Sequence, residues 1–302
     1  MQNVVKITSF VPGGQGIGQL DSGKKVFVWG ALPGETAELE VTKEKSSYAE
    51  AIATKILSES PHRVQPKDAC FLSTSPWQIM DFDFELAQKI SLTKESFLQH
   101  KISLPNTTIK TDHKEFFYRN KMEYSLYWDN SLQKIFPSFH KRGTHQKIPI
   151  SSSSIERPEI FQAASKIISE LNNNHASARD YQSLVVRCNQ QGTTSAALFE
   201  NRKPRPKMTL LSDNILGQDY SYSPNGFFQI NLPVYELALS DIKSAISSDQ
   251  VLDLYAGVGT IGLSVAPDRD LTLVELNGSA YEEMLKNCQT IKNSQNIHPV
   301  LA

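Results

Sequence analysis

Residues 251–263 read VLDLYAGVGTIGL, and this stretch decides the fold of the last part of the chain. An apolar run ends in a glycine-rich turn and a helical pattern follows, which is typical of the unit that opens a nucleotide-binding α/β sheet. The glycines stand at positions Gly257, Gly259 and Gly262. This spacing fits a nicotinamide dinucleotide site, an S-adenosylmethionine site or a structural turn, so the turn alone does not identify its ligand.

The residues around this turn predict a parallel sheet with flanking helices. Apolar periodicity predicts strands over 251–255 and 271–275, a helix start at 261–265, and helices over 232–246 and 279–293. A ligand of such a sheet lies beyond the carboxyl ends of the strands, where Gly257 and Gly259 allow close approach of the backbone. Glu275 ends the next strand and can accept hydrogen bonds from ribose hydroxyls, which both candidate cofactors carry.

The amino-terminal segment, residues 1–57, predicts a small β-barrel. Short alternating runs at 4–7, 25–29 and 37–41 are separated by glycine and proline turns. The glycine-rich segment GGQGIG at 13–18 lies between strand-like runs, and no helical pattern follows it. We therefore interpret it as a hairpin or bulge rather than a phosphate-binding loop.

The middle of the chain predicts an α+β unit. An apolar stripe that runs from Ile79 to Phe97 predicts a helix within 79–100. The remaining pattern predicts strands over 118–128 and 139–148 around a turn, a helix over 158–172, and a hairpin that pairs 183–188 with 194–199.

Composition indicates an ordinary globular protein, with 39% hydrophobic and 21% charged residues. The net charge of -1 gives no global sign of nucleic-acid binding, although Lys and Arg outnumber Asp and Glu between Lys101 and Lys147. Three distant cysteines and the absence of a long apolar segment predict a cytoplasmic protein that does not associate with membranes.

Several motifs together resemble the RNA uracil-5 methyltransferase family. They are SPNGFFQIN at 223–231, VLDLYAGVGTIGLSVA at 251–266, VEL at 274–276, YRNKMEYS at 118–125 and FHKRGTHQKI at 139–148. Residues 1–57 resemble the TRAM barrel of that family. The resemblance implies a multidomain fold: a TRAM β-barrel of the OB type at 1–58, a central α+β substrate-binding domain at 59–220, and an incomplete Rossmann-like methyltransferase domain at 221–302.

The resemblance also implies roles for particular residues. Gln229 and Tyr255 would contact S-adenosylmethionine, the turn from Gly257 to Gly259 would admit it, and Glu275 would hold its ribose. An aromatic wall such as Tyr255 also suits a sulfonium by cation–π attraction. The residues expected to bind RNA are Arg119, Lys121, His140, Lys141, Arg142 and His145.

The chain departs from the family pattern at its cysteines. Many members hold an iron–sulfur cluster with four cysteines, but the corresponding stretch here contains only Cys70, so we predict no cluster and no metal. The family nucleophile is a cysteine that adds to carbon 6 of uracil and follows the cofactor half, with a glutamate base later still. Cys188 and Cys288 lack that context, and we interpret both as packing residues.

Few residues follow Glu275, whereas a complete sheet of this type needs several more strands. We therefore expect a truncated product whose nucleophile and base lie beyond Ala302, which is inactive alone and poorly soluble. The leading hypothesis is a monomeric enzyme that methylates carbon 5 of a uridine, in 23S rRNA rather than tRNA. The alternatives are a non-catalytic RNA-binding protein or remnant, and a nicotinamide-dependent oxidoreductase.

Overall fold

The computed structural model describes residues 3–291 and 294–302. The chain divides into two compact units, one formed by Met1–Ile109 with Phe139–Ile148 and the other by Lys110–Ser138 with Pro149–Ala302. The helix predicted within 79–100 belongs to the first unit, together with the amino-terminal strands.

The first unit is built on a six-stranded sheet. Its strands are β1 (Asn3–Lys6), β2 (Ser9–Phe10), β3 (Gly16–Gln19), β4 (Lys25–Trp29), β5 (Thr36–Glu44) and β6 (Tyr48–Ser58), in the order β1-β5-β6-β4-β3-β2. Alternate residues such as Val26 and Val28 are buried in its core, as the period-two pattern requires. The predicted strands at 4–7, 25–29 and 37–41 are each found, with small shifts of their ends.

The glycine-rich segment at 13–18 is a hairpin, as expected from the sequence. Gly13 and Gly14 adopt positive φ angles of 113° and 87° in the turn. Gly18 lies in β3, where a Cβ would stand 2.3 Å from Cγ1 of Val5. These glycines therefore serve the turn and the close packing of strands.

Two helices, α1 (Phe71–Thr74) and α2 (Phe82–Gln99), complete the first unit. The side chain of Asp81 caps α2 by accepting a hydrogen bond from the amide of Phe84 at 2.7 Å. The predicted helix is present, but its apolar stripe is only partly covered, since Phe97 is exposed. Fully buried Glu35 accepts two hydrogen bonds from Arg63 at 2.6 and 2.7 Å.

The part of the chain from 121 to 205 contains a sheet and one long helix; most of it belongs to the second unit, and residues 139–148 belong to the first. Its elements are β7 (Lys121–Asp129), β8 (Lys134–His140), β9 (Lys147–Pro149), α3 (Pro158–Asn173), β10 (Ser183–Cys188), β11 (Thr194–Glu200) and β12 (Lys203–Arg205), in the sheet order β12-β11-β10-β7-β8-β9. The predicted helix at 158–172 and the hairpin of β10 with β11 are found. Every residue of β10 is buried.

The predicted strands around a turn at 118–128 and 139–148 are found in part: β7 covers 121–129, whereas 139–148 contains the end of β8, a turn and the start of β9. The partner of β7 is 134–138, because Asp129 closes a turn directly after β7 by accepting from the amides of Ser131 and Leu132 at 2.8 and 3.0 Å. Residues 141–146 then form a second turn, between β8 and β9. The basic residues of this motif consequently lie in and beside a turn.

The last part of the chain contains a hairpin and a parallel sheet. Its elements are β13 (Leu211–Ile215), β14 (Gln218–Tyr222), α4 (Leu232–Ala245), β15 (Gln250–Leu254), α5 (Thr260–Val265), β16 (Asp270–Glu275), α6 (Gly278–Gln289) and β17 (Ile297–Leu301). The strands β15, β16 and β17 are parallel and neighbours in that order. The alternation predicted β15 and β16, whereas β13, β14 and β17 were not anticipated. The predicted end of α6 at 293 lies outside the described residues.

One hydrophobic core joins the hairpin to the parallel sheet. Tyr220 and Tyr222 of β14 share this core with Leu263 of α5, Leu271 of β16 and Met284 of α6. On the other face of β15, Leu252 and Leu254 are 61% and 56% exposed. Among the described residues, no helix combines the length and the apolar character needed to cross a membrane.

Candidate functional site

The turn between β15 and α5 has an unusual backbone. Tyr255, Gly257 and Gly259 have φ angles of 62°, 59° and 86°, all in the left-handed region. That region is strained for tyrosine, and this side chain is 90% exposed, so no packing explains its conformation. Backbone strain held at the carboxyl end of a parallel strand is typical of a binding turn.

The three glycines of the motif have different surroundings. A Cβ at Gly257 would meet nothing within 4 Å, whereas one at Gly259 would stand 2.9 Å from Cδ1 of Leu263. At Gly262 it would stand 2.4 Å from Cδ2 of Leu273. Space for a ligand is therefore present beside Gly257, while the other two glycines allow α5 to pack closely on the domain core.

Glu275 connects the turn to the end of the second strand. Its carboxylate accepts a hydrogen bond from the amide of Gly257 at 2.8 Å and another from the amide of Asn277 at 2.7 Å. A carboxylate has about four lone-pair positions, so Glu275 can still accept hydrogen bonds from a pair of hydroxyl groups. The structure thus brings Glu275 to the same turn as Gly257, as the spacing predicted.

Two polar side chains that the sequence did not reveal form hydrogen bonds with the backbone of this turn and of the start of α5. The carboxylate of Asp253 accepts from the amide of Gly262 at 2.9 Å, and burial raises its pKa. The amide of buried Asn287 donates to the carbonyl of Val258 at 2.9 Å and exchanges two hydrogen bonds with the backbone of Ser221. An amide on the buried face of the predicted helix was the available signal for Asn287.

Residues 223–231 join β14 to α4, and this connection includes Gln229 and two phenylalanines. Phe228 is buried and stacks on Tyr222 with ring centroids 3.9 Å apart, whereas Phe227 is 83% exposed. Gln229 is half-buried, and its carbonyl accepts from the side chain of Asn120 at 3.1 Å. The segment therefore has one exposed aromatic ring, Phe227, close in sequence to Gln229, and the stacking of Phe228 on Tyr222 attaches the segment to the core.

The predicted RNA-binding residues of the second unit are largely engaged with the backbone. The guanidinium of Arg119 donates to the carbonyl of Lys121 at 3.0 Å. The ammonium of Lys121 donates to the carbonyls of Asn225 and Gly226 at 3.0 and 3.2 Å. Burial, and then the neighbouring Arg187, lower the pKa of Lys121.

The other predicted RNA-binding residues lie in the first unit, around the turn 141–146. Arg142 lies over the ring of Trp29, 4.1 Å from its centroid, and donates to the carbonyl of Leu72. Burial lowers the pKa of Arg142. His140, Lys141 and His145 are exposed. In this turn Arg142 therefore attaches the chain to β4 and α1, whereas the side chains of the other three residues are exposed.

The cysteines are all buried. Burial raises the pKa of the Cys188 and Cys288 thiols to about 11, so both are protonated near neutral pH and are poor nucleophiles. Within the described part of the chain, no group of three or more His, Cys, Asp or Glu side chains is arranged to hold a metal ion.

Comparisons with known proteins agree with this architecture. Residues 4–54 match the TRAM domain family. The chain is 28% identical to an uncharacterized RNA methyltransferase of Lactobacillus johnsonii, over 87% of this chain and 69% of that protein. It is 26% identical to the 23S rRNA (uracil(1939)-C(5))-methyltransferase of Pectobacterium carotovorum, over 91% of this chain and 68% of that protein.

A solved structure has a similar fold over 99% of this chain and 79% of its own length, with a TM-score of 0.74 and 16% identity. It is the Pyrococcus abyssi tRNA (uracil-54, C5)-methyltransferase in complex with S-adenosyl-L-homocysteine. The comparisons confirm the resemblance to RNA uracil-5 methyltransferases, the amino-terminal TRAM domain and the multidomain fold class.

Proposed function

We propose that this chain binds S-adenosylmethionine and RNA as part of an RNA uracil-5 methyltransferase, an enzyme that transfers a methyl group to carbon 5 of a uridine. The observation that carries the proposal is the turn at 255–259. Open space lies beside Gly257, and the amide of Gly257 is tied to the carboxylate of Glu275 at the end of the neighbouring strand. A ligand with an adenosine half fits this arrangement, since Glu275 faces the turn with acceptors for ribose hydroxyls.

The remaining contacts of the methyl donor follow from chemistry. The exposed ring of Tyr255 provides a π face for the positively charged sulfonium, and the amide of Gln229 suits the polar amino-acid end of the cofactor. Gly259 begins α5 in a left-handed conformation that only glycine adopts without strain, and it allows the turn to close.

The substrate is proposed to be RNA held by the TRAM domain together with the exposed turn residues His140, Lys141 and His145. Single-stranded or looped RNA is usually bound through phosphates and stacked bases. The relative from Pectobacterium carotovorum is named for 23S rRNA, and this supports a ribosomal substrate over tRNA. We propose a monomeric, cytoplasmic protein, and light scattering of the purified chain tests the monomer.

The methyl-transfer step needs a thiolate that adds to carbon 6 of uracil. The buried, protonated thiols of Cys188 and Cys288 do not suit that role, so we propose no catalytic residue within this chain. Incubating the chain with radiolabelled methyl donor and uridine-containing RNA tests this, because incorporation of label would require a nucleophile within the chain.

Calorimetric titration with S-adenosylhomocysteine and with NADH tests the cofactor. The wild-type chain is expected to bind the first and not the second. Removing a hydrogen-bonding charge typically costs about 1.5–3 kcal/mol, so Glu275→Gln is expected to weaken S-adenosylhomocysteine binding about 10- to 150-fold. Glu282→Gln changes an exposed carboxylate of α6 and serves as the matched control. Binding of NADH, or equal affinities of the two variants, would overturn the assignment.

Filter binding with 23S rRNA fragments and with tRNA tests the second partner. Lys141→Ala is expected to lower the affinity for RNA and to reduce the salt dependence by about one phosphate contact. Lys166→Ala, an exposed lysine on α3, is the control. A chain that binds RNA but not S-adenosylhomocysteine would support the alternative of a non-catalytic RNA-binding protein.

A further inference from the structure

We infer that Arg187 and Lys121 are positioning residues that hold the backbone of 225–229, the segment with Phe227 and Gln229, against the central sheet. This inference rests on the proposed function only in so far as Gln229 contacts the methyl donor. The physical contacts concern the chain's own backbone. They assign to Lys121 an internal role in place of the RNA contact expected from the sequence.

Arg187 donates to several carbonyls of one segment. Its guanidinium contacts the carbonyl of Phe228 at 2.5 Å, that of Gly226 at 3.3 Å and that of Gln229 at 3.4 Å. It also lies 5.1 and 5.6 Å from the ring centroids of Tyr222 and Phe228. One side chain thus fixes the segment through its backbone and through the ring stack below it.

The burial of the Arg187 charge carries a free-energy cost for folding. It is 0% exposed, its Nε has no hydrogen-bond partner, and burial lowers its pKa. Within the described residues, its hydrogen bonds go to carbonyls and to the side-chain oxygen of Asn120, with no carboxylate among them. The charge of Asp213 attracts Arg187 without a direct hydrogen bond among those described, but burial outweighs this attraction in its effect on the pKa of Arg187. Core packing alone would therefore favour an apolar side chain. The one thing that an apolar side chain cannot supply is the set of donors to 226–229.

Lys121 strengthens the inference because it stands directly opposite Arg187. The two residues are cross-strand partners in the pairing of β10 with β7. Like charges at such positions repel each other, and a pair of this kind is destabilising unless acceptors lie between them. The acceptors here are the carbonyls of Asn225 and Gly226 for Lys121 and those of Gly226, Phe228 and Gln229 for Arg187.

The neighbouring Asn120 extends the same attachment. Its backbone amide donates to the carbonyl of Ile230 at 3.1 Å, and its side chain donates to the carbonyl of Gln229. Carbonyls at 225, 226, 228, 229 and 230 are therefore all held by residues 120, 121 and 187. The segment has no helix or strand of its own, so these contacts decide where the side chains of Phe227 and Gln229 stand.

The test uses the full chain with Lys121→Met and Arg187→Lys, which keep most of the side-chain volume. Arg157→Met is the matched control, because Arg157 is a partly buried arginine that donates to the carbonyls of another loop, at Asn189 and Gln190. Two quantities are measured in every variant: amide hydrogen exchange of residues 225–231, and the affinity for S-adenosylhomocysteine. Thermal melting of each variant gives the accompanying loss of stability.

Lys121→Met and Arg187→Lys are each expected to raise amide hydrogen exchange in 225–231 about tenfold, because each removes hydrogen-bond donors to that segment. Arg157→Met is expected to leave the exchange unchanged. The affinity for S-adenosylhomocysteine is expected to fall at least fivefold in Lys121→Met and Arg187→Lys. Arg157→Met is expected to keep its affinity even where its melting temperature falls by a comparable amount. Unchanged exchange in both Lys121→Met and Arg187→Lys would overturn the inference. If the wild-type chain does not bind S-adenosylhomocysteine, the proposed function fails, but the exchange measurement still decides whether Lys121 and Arg187 position the segment. If Arg187→Lys does not fold, Lys121→Met decides alone: unchanged exchange in that variant would overturn the inference, because the wild-type Lys121 ammonium donates to the carbonyls of Asn225 and Gly226.

Discussion

Substituting Gly257 by alanine separates a ligand-binding role of the turn from a structural one. Gly257 has a φ of 59°, and no atom lies within 4 Å of the position that a Cβ methyl group would take. A left-handed alanine costs about 1–2 kcal/mol, and the reduced entropy of the unfolded chain returns about 0.4–1 kcal/mol. The free energy of unfolding of Gly257→Ala is therefore expected to fall by about 1 kcal/mol.

The effect on binding is expected to be larger. The new methyl group occupies the space beside the turn, and forcing one extra carbon into a filled contact costs about 1–3 kcal/mol. Calorimetric titration with S-adenosylhomocysteine should therefore show an affinity about 5- to 150-fold lower than that of the wild-type chain. Urea denaturation of the same samples reports the change in stability.

Gly217→Ala is the matched control for this experiment. Gly217 has a φ of 87° and open space around it, but it lies in the turn between β13 and β14. It should show the same loss of stability and no loss of affinity. If Gly257→Ala binds S-adenosylhomocysteine within twofold of the wild-type chain, the ligand does not occupy the space beside Gly257, and a binding role of this turn is refuted.

Three further predictions concern stability. Asp81→Ala removes the cap of α2 and should lower the free energy of unfolding by about 1 kcal/mol at pH 7. The hydrogen bond from Phe84, before other causes, lowers the pKa of Asp81, so this difference should disappear in urea denaturation as the pH falls below about 4. Glu35→Gln leaves the guanidinium of Arg63 without its charged partner and should cost about 3–5 kcal/mol in the same assay, whereas a loss below 1 kcal/mol would contradict a buried ion pair. Asn287→Leu leaves backbone groups of the glycine turn and of β14 unpaired and should cost about 2–4 kcal/mol, with circular dichroism melting as the measurement.

Local patterns were sufficient for most elements of the fold. The alternation of strand and helix around 251–275 predicted a parallel sheet, and the structure contains it. The pattern failed where a single side chain redirected the chain: Asp129 closes a turn that residue preferences around 130–133 did not reveal. It also missed β13 and β14, because their short runs of mixed polar and apolar residues resemble a loop in isolation.

The candidate site shows the same division. The glycine spacing and Glu275 were identified from the sequence because each lies at a fixed distance along the chain from a strand end. Asp253 and Asn287 were missed, since their partners at Gly262, Val258 and Ser221 are set by packing.

By itself, the sequence determined the strands of the amino-terminal sheet, the parallel pair β15 and β16, and the glycine turn between β15 and α5, because these depend on periodicity and on motifs of contiguous residues. Only the tertiary structure decided that the three glycines differ in role, since what a Cβ would meet depends on residues brought near by folding. It also decided that Arg142 covers Trp29 and that Lys121 and Arg187 face the carbonyls of 225–229. A basic residue in a sequence carries a charge, but its partner is chosen by the groups that folding places within reach of its hydrogen bonds.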